Sequence, residues 1–398
     1  MITLVLFIAL LATAMGQSVV MTILPSLGRE TGMSELQVAS ILSSSALIYA
    51  LGSTQWSKFA ESHGNRKTLL IGLAGYSVGT FGFASVFWLG LNLWITGPLV
   101  FILLLIARMA QSTVMSATPP AAIAYVAAYT RKHNLPPIAL MGRVTSANNL
   151  GQIFGPGFAG LLVGFGLVTP LFAIILLTFL ALLLVWRKLP EQARDDTETS
   201  DQVIRQSPVH GLPTTPLILF AILIFLCMAM LQQSLVFLLI DAFHYGNVEA
   251  AQKAGMGMTL SALAAFAIQW TVVQRSRLSL KMSLICSALF MTCGYLAITE
   301  ADALNVIYLG MAGVGCGVGI GYPTVTAAAT YHCPPTKRAK VTGLITASPA
   351  VGYVIGPPIG AILYNLDVHS PFALCAVLSA VLMLIPFYIH SQSTVLRS

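Results

Sequence analysis

The chain has 398 residues, 57% of them hydrophobic and only 8% charged, with a formal net charge of +7. A soluble globular domain carries about a quarter charged residues, and no water-soluble core could absorb this much apolar surface. Composition therefore excludes a soluble domain and points to membrane-spanning helices. A spanning segment must satisfy its own backbone polar groups, and the period-two alternation of a membrane barrel is missing.

Twelve apolar runs, each about long enough to cross ~30 Å of hydrocarbon, follow one another along the chain. They cover roughly 3–27, 36–58, 68–90, 98–129, 144–166, 169–187, 215–240, 252–274, 281–299, 304–330, 342–365 and 371–390. Span 1 opens with "ITLVLFIALLATA", whose Ala-Thr-Ala ending resembles a signal-peptide cleavage site. No basic residue precedes Arg29 and the apolar run continues past the site, so span 1 is expected to remain an uncleaved helix. Spans 4 and 10 run long and carry Pro119, Pro120 and Pro323, so tilted or broken helices are expected there.

Between spans 6 and 7 lies "LPEQARDDTETSDQVIRQSPVHGLPTT", the one long polar stretch. It is acidic and ends in Pro and Gly, which reads as a flexible cytoplasmic tether. The expected domains are a six-helix bundle over 1–188, the linker over 189–214 and a second six-helix bundle over 215–398.

With both termini in the cytoplasm the basic residues sort to one side. Only Arg29 and Lys253 fall outside, and Arg108 falls within a span. The basic excess is thus a topology signal, consistent with a plasma (inner) membrane protein, and calls for no nucleic acid. The six cysteines, Cys227, Cys286, Cys293, Cys316, Cys333 and Cys375, lack metal-ligand spacing and read as small buried residues, so no metal site is expected.

Residues 151–160, "GQIFGPGFAG", are echoed by "GYVIGPPIGA" at 352–361. Gly142, Gly151, Gly155 and Pro156 match Gly343, Gly352, Gly356 and Pro357 at one constant offset of 201 residues, each set in the fifth span of its half. Two parallel repeats are an established transporter plan. Glycines four apart let another backbone approach closely, and Pro156 removes the hydrogen bond to the Gln152 carbonyl. Small-residue partners exist in span 8 (Gly257, Ser261, Ala265) and span 2 (Ser43, Ala46, Ala50, Ser53). The expected arrangement packs span 5 on span 8 and span 11 on span 2, as a contact on which two bundles rock. Ordinary close packing within one half is the alternative.

Gly142, Gly151, Gly155, Pro156, Ala159 and Gly160 resemble the antiporter motif of helix 5 in the major facilitator superfamily, with Ala159 replacing a usual Gly. "SKFAESHGNRKTLL", residues 57–70, is similar to that family's loop motif between helices 2 and 3. Gly64, Arg66 and Lys67 match it, while Glu61 stands where Asp is usual and Ser57 replaces the leading Gly. "RMAQS", Arg108 to Ser112, resembles the helix 4 motif without its Gly. The resemblance implies an all-α polytopic membrane protein, with twelve transmembrane helices in two six-helix pseudo-symmetric bundles. It also implies the drug:proton antiporter-like branch, a monomer, and a cytoplasmic latch in which Glu61 and Arg66 work against helix 11.

Arg108 is the one strong base inside an apolar span. Such a charge must face a cavity or a partner, for a substrate anion or a proton network; Gln111 lies on the same helix face. No Asp, Glu or His sits deep in a span, and span 1 carries Gln17 where an acid would serve. Asp241 and Glu30, at span ends, are the candidates for an external proton port; Asp241 is preferred because Gln232 and Gln233 precede it. Asn148, Asn149, Gln152, Gln17, Gln232, Gln233, Tyr322 and Tyr353 could line the cavity, or each could be an interhelical hydrogen bond.

The expectation is a secondary active transporter in the lipid bilayer, exporting a small organic molecule in exchange for protons. The proton gradient supplies the energy and no cofactor is needed. The cargo is expected to be anionic, zwitterionic or neutral, such as a siderophore-like metabolite, rather than a lipophilic cation. An importer of an organic anion or nutrient is the alternative on the same fold, and a transport-dead sensor or scaffold the alternative of another class. An enzyme is not expected: reactive residues do not cluster at depth, and the Gly-rich nucleotide loop is missing.

Overall fold

The computed structural model describes residues 2–133, 137–191, 214–273, 279–332 and 335–389. Most of the expected linker lies outside these residues, as do Cys333, Arg194, Arg205, Arg275, Arg277 and Arg397. The first half contains α1 (Ile2–Glu30), α2 (Glu35–His63), α3 (Asn65–Leu91), α4 (Pro98–Met115), α5 (Thr118–Lys132), α6 (Pro137–Val163) and α7 (Thr169–Lys188). The second contains α8 (Thr214–Asp241), α9 (Asn247–Ile268), α10 (Leu280–Thr299), α11 (Leu304–His332), α12 (Pro335–Tyr364) and α13 (Ser370–Leu382). A five-residue π-helix, Gln269–Val273, continues α9.

Each predicted span is matched, and the protein is an all-α polytopic membrane protein. Among the described residues ten spans meet the length and apolarity of a membrane crossing. The 27-residue α6 and 22-residue α9 complete the twelve, since a helix rises 1.5 Å per residue.

Two helices begin well before their apolar runs. α6 starts at Pro137 and α12 at Pro335, each about two turns early. Their first turns contain "MGR" and "PTKRAK", charged sequence that hydrophobicity alone cannot assign to a helix. Proline is favoured in the first turn, where its missing N–H is no loss.

Span 4 is broken, as expected. α4 ends at Met115 and α5 starts at Thr118, because Pro119 and Pro120 cannot donate to the carbonyls of Met115 and Ser116. Just before the break, the Trp56 indole and the Ser116 hydroxyl both donate to the Thr113 carbonyl, at 2.6 and 2.8 Å. Span 10, in contrast, stays one helix, α11, with Pro323 inside it.

The structure divides into two units, residues 1–200 with 239–256 and residues 201–238 with 257–398. In the first, α1, α3, α5, α6 and α7 share a core that includes Leu6, Leu10, Leu73, Tyr125, Ala147 and Val185. Large apolar side chains such as Val78, Phe81, Leu161 and Leu176 point outward, the inverse of a soluble surface. Against that background, the largest fully buried side chain among the described residues is that of an arginine, Arg108.

Candidate functional site

Arg108 lies on α4 and is 1% exposed, as is Gln111 one turn on. Its Nη1 donates to Gln111 Oε1 at 2.5 Å, and Gln111 Nε2 donates to Thr80 Oγ1 at 2.6 Å. Thr80 in turn donates to the Tyr76 carbonyl at 2.7 Å, while the guanidinium carbon sits 5.8 Å from the centre of the Phe83 ring. Of the alternatives of cavity or partner, the side chain has found partners, all within the first unit. A strong base at the centre of a spanning helix costs roughly 2.5–3.5 kcal/mol to insert. A hydrogen bond to a charged group contributes about 1.5–3 kcal/mol and a ring face about 0.5–2 kcal/mol, which offsets that cost without neutralising the charge. What the site lacks is a counter-charge: among the described residues every ion pair involves Arg29, Arg66 or Lys253.

The second unit carries an uncharged polar cluster. The Tyr353 hydroxyl on α12 donates to Gln232 Oε1 on α8 at 2.9 Å. Tyr322 meets Phe225 edge to face at 4.9 Å, and Gln233 is buried. Gln17 and Asn148 are half-buried, and Asn149 and Gln152 exposed. The hydrogen bonds around Arg108 run through Gln111 and Thr80 and include none of these four.

Sequence reasoning missed a second internal repeat. Gly75-Tyr76 on α3 lies against Val114 of α4, and Gly294-Tyr295 on α10 lies against Val314 of α11. Both tyrosines are fully buried. The Tyr76 hydroxyl abuts Gly16 on α1, and Ile174 of α7 lies against the same glycine. Tyr295 sits beside Cys227 and Cys375, on the matching helices α8 and α13, where the Cys375 thiol lies 3.7 Å from the Cys227 carbonyl. A shared Gly-Tyr dipeptide was the available signal, too short to separate from chance.

The expected proton-port acids are both engaged. Asp241, at the end of α8, pairs with Arg29 Nη2, and Arg29 Nη1 also pairs with Glu35 at 2.7 Å. Glu30 accepts a hydrogen bond from Asn247. Lys253 nearby pairs with Glu249 at 3.3 Å and covers the Tyr245 ring at 4.5 Å. From sequence Arg29 stood out only as an outside charge and Glu35 not at all, because a charge just past a span looks like any solvated residue.

The repeated glycines pack differently from the expected arrangement. A Cβ on Gly151 would lie 2.7 Å from the Leu11 carbonyl, and one on Gly155 2.9 Å from that of Met15. Their partner is therefore α1, not the small-residue stripe of α9. In the second unit a Cβ on Gly352 would meet the backbone of Phe225 at 2.6 Å, and one on Gly356 the Leu226 carbonyl at 2.7 Å. That partner is α8, the counterpart of α1, not α2. The α9 stripe is already taken: Gly257 faces Tyr308, and Ser261 and Ala265 face Gly315 and Gly319 of α11. The anticipated contact between α6 and α9 does occur, but further along, where Gly255 meets Gly160 and the Pro156 carbonyl. Gly142 and Gly343 have open space around them.

In the loop motif Gly64 adopts a φ of +91°, a conformation open to glycine, and closes α2 through its N–H to the Ala60 carbonyl at 2.8 Å. Arg66 does not pair with Glu61. It donates to the Trp186 carbonyl at 2.8 Å and pairs with Glu191 at 3.1 Å, at the end of α7. Glu61 is exposed and outside the ion pairs among the described residues, and Lys67 is exposed. The motif thus anchors α3 to the exit of α7.

Among the described residues no group of three or more His, Cys, Asp and Glu could hold a metal ion. The sequence is similar to Multidrug resistance protein 2 of Bacillus subtilis (strain 168), with 21% identity over 373 residues, 90% of this chain and 87% of that one. The fold is similar to that of the nucleoside transporter NupG, with a TM-score of 0.74, 12% identity and 98% of each chain covered. It is also similar to that of a D-xylose-proton symporter, with a TM-score of 0.72, 16% identity, and 97% and 96% covered. The family description Major Facilitator Superfamily matches residues 6–348 and 276–395. This chain, built as a polytopic helical protein and matched along nearly its whole length, belongs to the Major Facilitator Superfamily of membrane transporters.

Proposed function

We propose that this transporter is a proton-coupled exporter of small organic molecules working by alternating access, on the drug:proton antiporter-like branch of its family. Its cargo is anionic, zwitterionic or neutral, for example a siderophore-like metabolite. The protein works as a monomer in the plasma membrane with both termini cytoplasmic, and draws on the proton gradient with no cofactor.

The observation that carries the cargo assignment is Arg108, a buried cation among amides and hydroxyls, paired with no carboxylate among the described residues. A lipophilic cation would be repelled there, whereas an anion is attracted. Export is supported by the duplicated glycine-proline motif and by the similarity to a multidrug resistance protein. Asp241 is the proposed entry point for the proton, since protonation of its carboxylate would cancel one of the two charges that hold Arg29, leaving Glu35.

The test uses proteoliposomes loaded with a pH-sensitive dye, to which organic anions and cationic dyes are added in turn. Proton movement driven by an anion and lost in Arg108→Ala is the expected result. Proton movement driven by cationic dyes that survives Arg108→Ala overturns the cargo assignment.

A further inference from the structure

Arg108 raises a question that cargo recognition does not answer. A guanidinium keeps its proton under all physiological conditions and carries five N–H donors. Here one donor is used by Gln111, while Nε–H is buried with no hydrogen-bond partner among the described residues. The groups in contact with it are the Gln111 amide from α4 and the Phe83 ring from α3, with the Tyr76 phenol of α3 near enough to interact electrostatically. All are uncharged. At 1% exposure no organic cargo reaches the guanidinium in this arrangement. The charge is therefore formally uncompensated in the state that the structure describes, in a setting where unpaired charges are strongly disfavoured.

We propose that Arg108 binds a small monovalent anion of the halide class, with chloride as the physiological occupant, whenever cargo is absent. The charge argument fixes the sign and valence: one buried positive charge calls for one negative charge. Burial sets an upper limit on size: at 1% exposure nothing larger than an ion of one or a few atoms could share the site. The guanidinium's own charge excludes a cation, and its free N–H together with nearby hydroxyl donors can solvate an anion. The free Nε–H of Arg108 and the Tyr76 hydroxyl are the two groups that would hold it. The matching helices of the second unit pair Tyr295 with Cys227 and Cys375, whose thiols bring no cation; the site belongs to the first unit alone. The inference rests on the transport reading only in that an anionic cargo would displace the halide.

Two measurements test it on the full-length purified protein. The first is thermal unfolding in detergent as chloride replaces gluconate at constant ionic strength, from about 1 to about 100 mM. A ligand bound only by the folded state raises the melting temperature saturably. Wild type should show that rise, Tyr76→Phe should need about tenfold more chloride, and Arg108→Gln should show none. The second is crystallisation in bromide, which requires no variant to fold: an anomalous peak within hydrogen-bond distance of the Arg108 guanidinium is the expected result. Melting that ignores the chloride-gluconate exchange, or a bromide map empty at Arg108, overturns the proposal. A chloride effect of equal size in Arg108→Gln does so as well. Proteoliposome flux separates this from the cargo reading. Halide binding without organic-anion flux removes the cargo reading alone, and flux without halide binding removes this proposal alone.

Discussion

The Ser18 hydroxyl donates to the carbonyl of Gln152 at 3.2 Å, the very carbonyl that Pro156 leaves without its helical donor. A freed backbone acceptor inside a membrane must find a new partner, and α1 supplies it to α6. The second unit lacks the device, because Ala229 occupies the position against Gly356 that Ser18 occupies against Gly155. Ser18→Ala should therefore destabilise the protein by about 0.5–1.5 kcal/mol, the net value of one hydrogen bond. Differential scanning fluorimetry in detergent checks this; an unchanged melting temperature would show that water serves the carbonyl equally well.

The glycine motif divides into positions that tolerate a side chain and positions that do not. Gly155→Leu and Gly356→Leu would drive atoms into the backbones of α1 and α8, and overpacking of this kind costs about 1–3 kcal/mol. Gly142→Ala and Gly343→Ala, at open positions of the same motif, should stay within about 0.5 kcal/mol of wild type. Expression, melting temperature and flux measured for all four variants check the split, and equal damage at Gly142 would contradict it.

Arg29 and Asp241 are each about one-third exposed. A pair that wet contributes about 0.2–1 kcal/mol, so Asp241→Asn should barely move the melting temperature. Under the proposed role it should nevertheless abolish proton-driven flux while leaving cargo binding within about twofold of wild type. Glu35→Gln, which spares the Asp241 contact, should retain coupling. A proton-coupled Asp241→Asn variant would move the search to Glu30.

Tyr353→Phe removes one hydroxyl and leaves Gln232 without that donor. The stability change should stay near 1 kcal/mol. If the cluster reads cargo, the apparent affinity for a hydroxylated or amide-bearing cargo should fall about three- to tenfold. An unchanged affinity would leave the bond with a packing role between α8 and α12.

Much of the architecture was legible because a membrane imposes a simple rule on sequence. An uncharged run of about twenty residues is a helix, and the boundaries of α7, α8 and α10 follow their runs to within a residue or two. The rule fails where a helix continues into charged sequence, as at Pro137 and Pro335. The Pro156 carbonyl effect and the break after Met115 were readable because proline has one chemistry. The partners of the glycines were not, since a small-residue stripe shows that something approaches closely and not which helix does. Thr80, Tyr76 and Phe83 escaped notice for a related reason: their place beside Arg108 is a property of how α3 lies on α4, written in neither helix alone.

About twice as many residues separate Gly75 from Val114 as separate Gly294 from Val314, although both pairs make the same contact. Most of the surplus lies in the outer arms of α3 and α4, which run further past the contact than those of α10 and α11; the turn that caps them carries the exposed Leu93 and Trp94. An antiparallel pair can be lengthened at its open end without disturbing the packed interior, so the two pairs keep one contact at different arm lengths. That tolerance marks residues 92–97 as the natural splice point for tags, epitopes or shortened hairpins, and the Gly-Tyr contacts as the positions from which the two halves should be aligned.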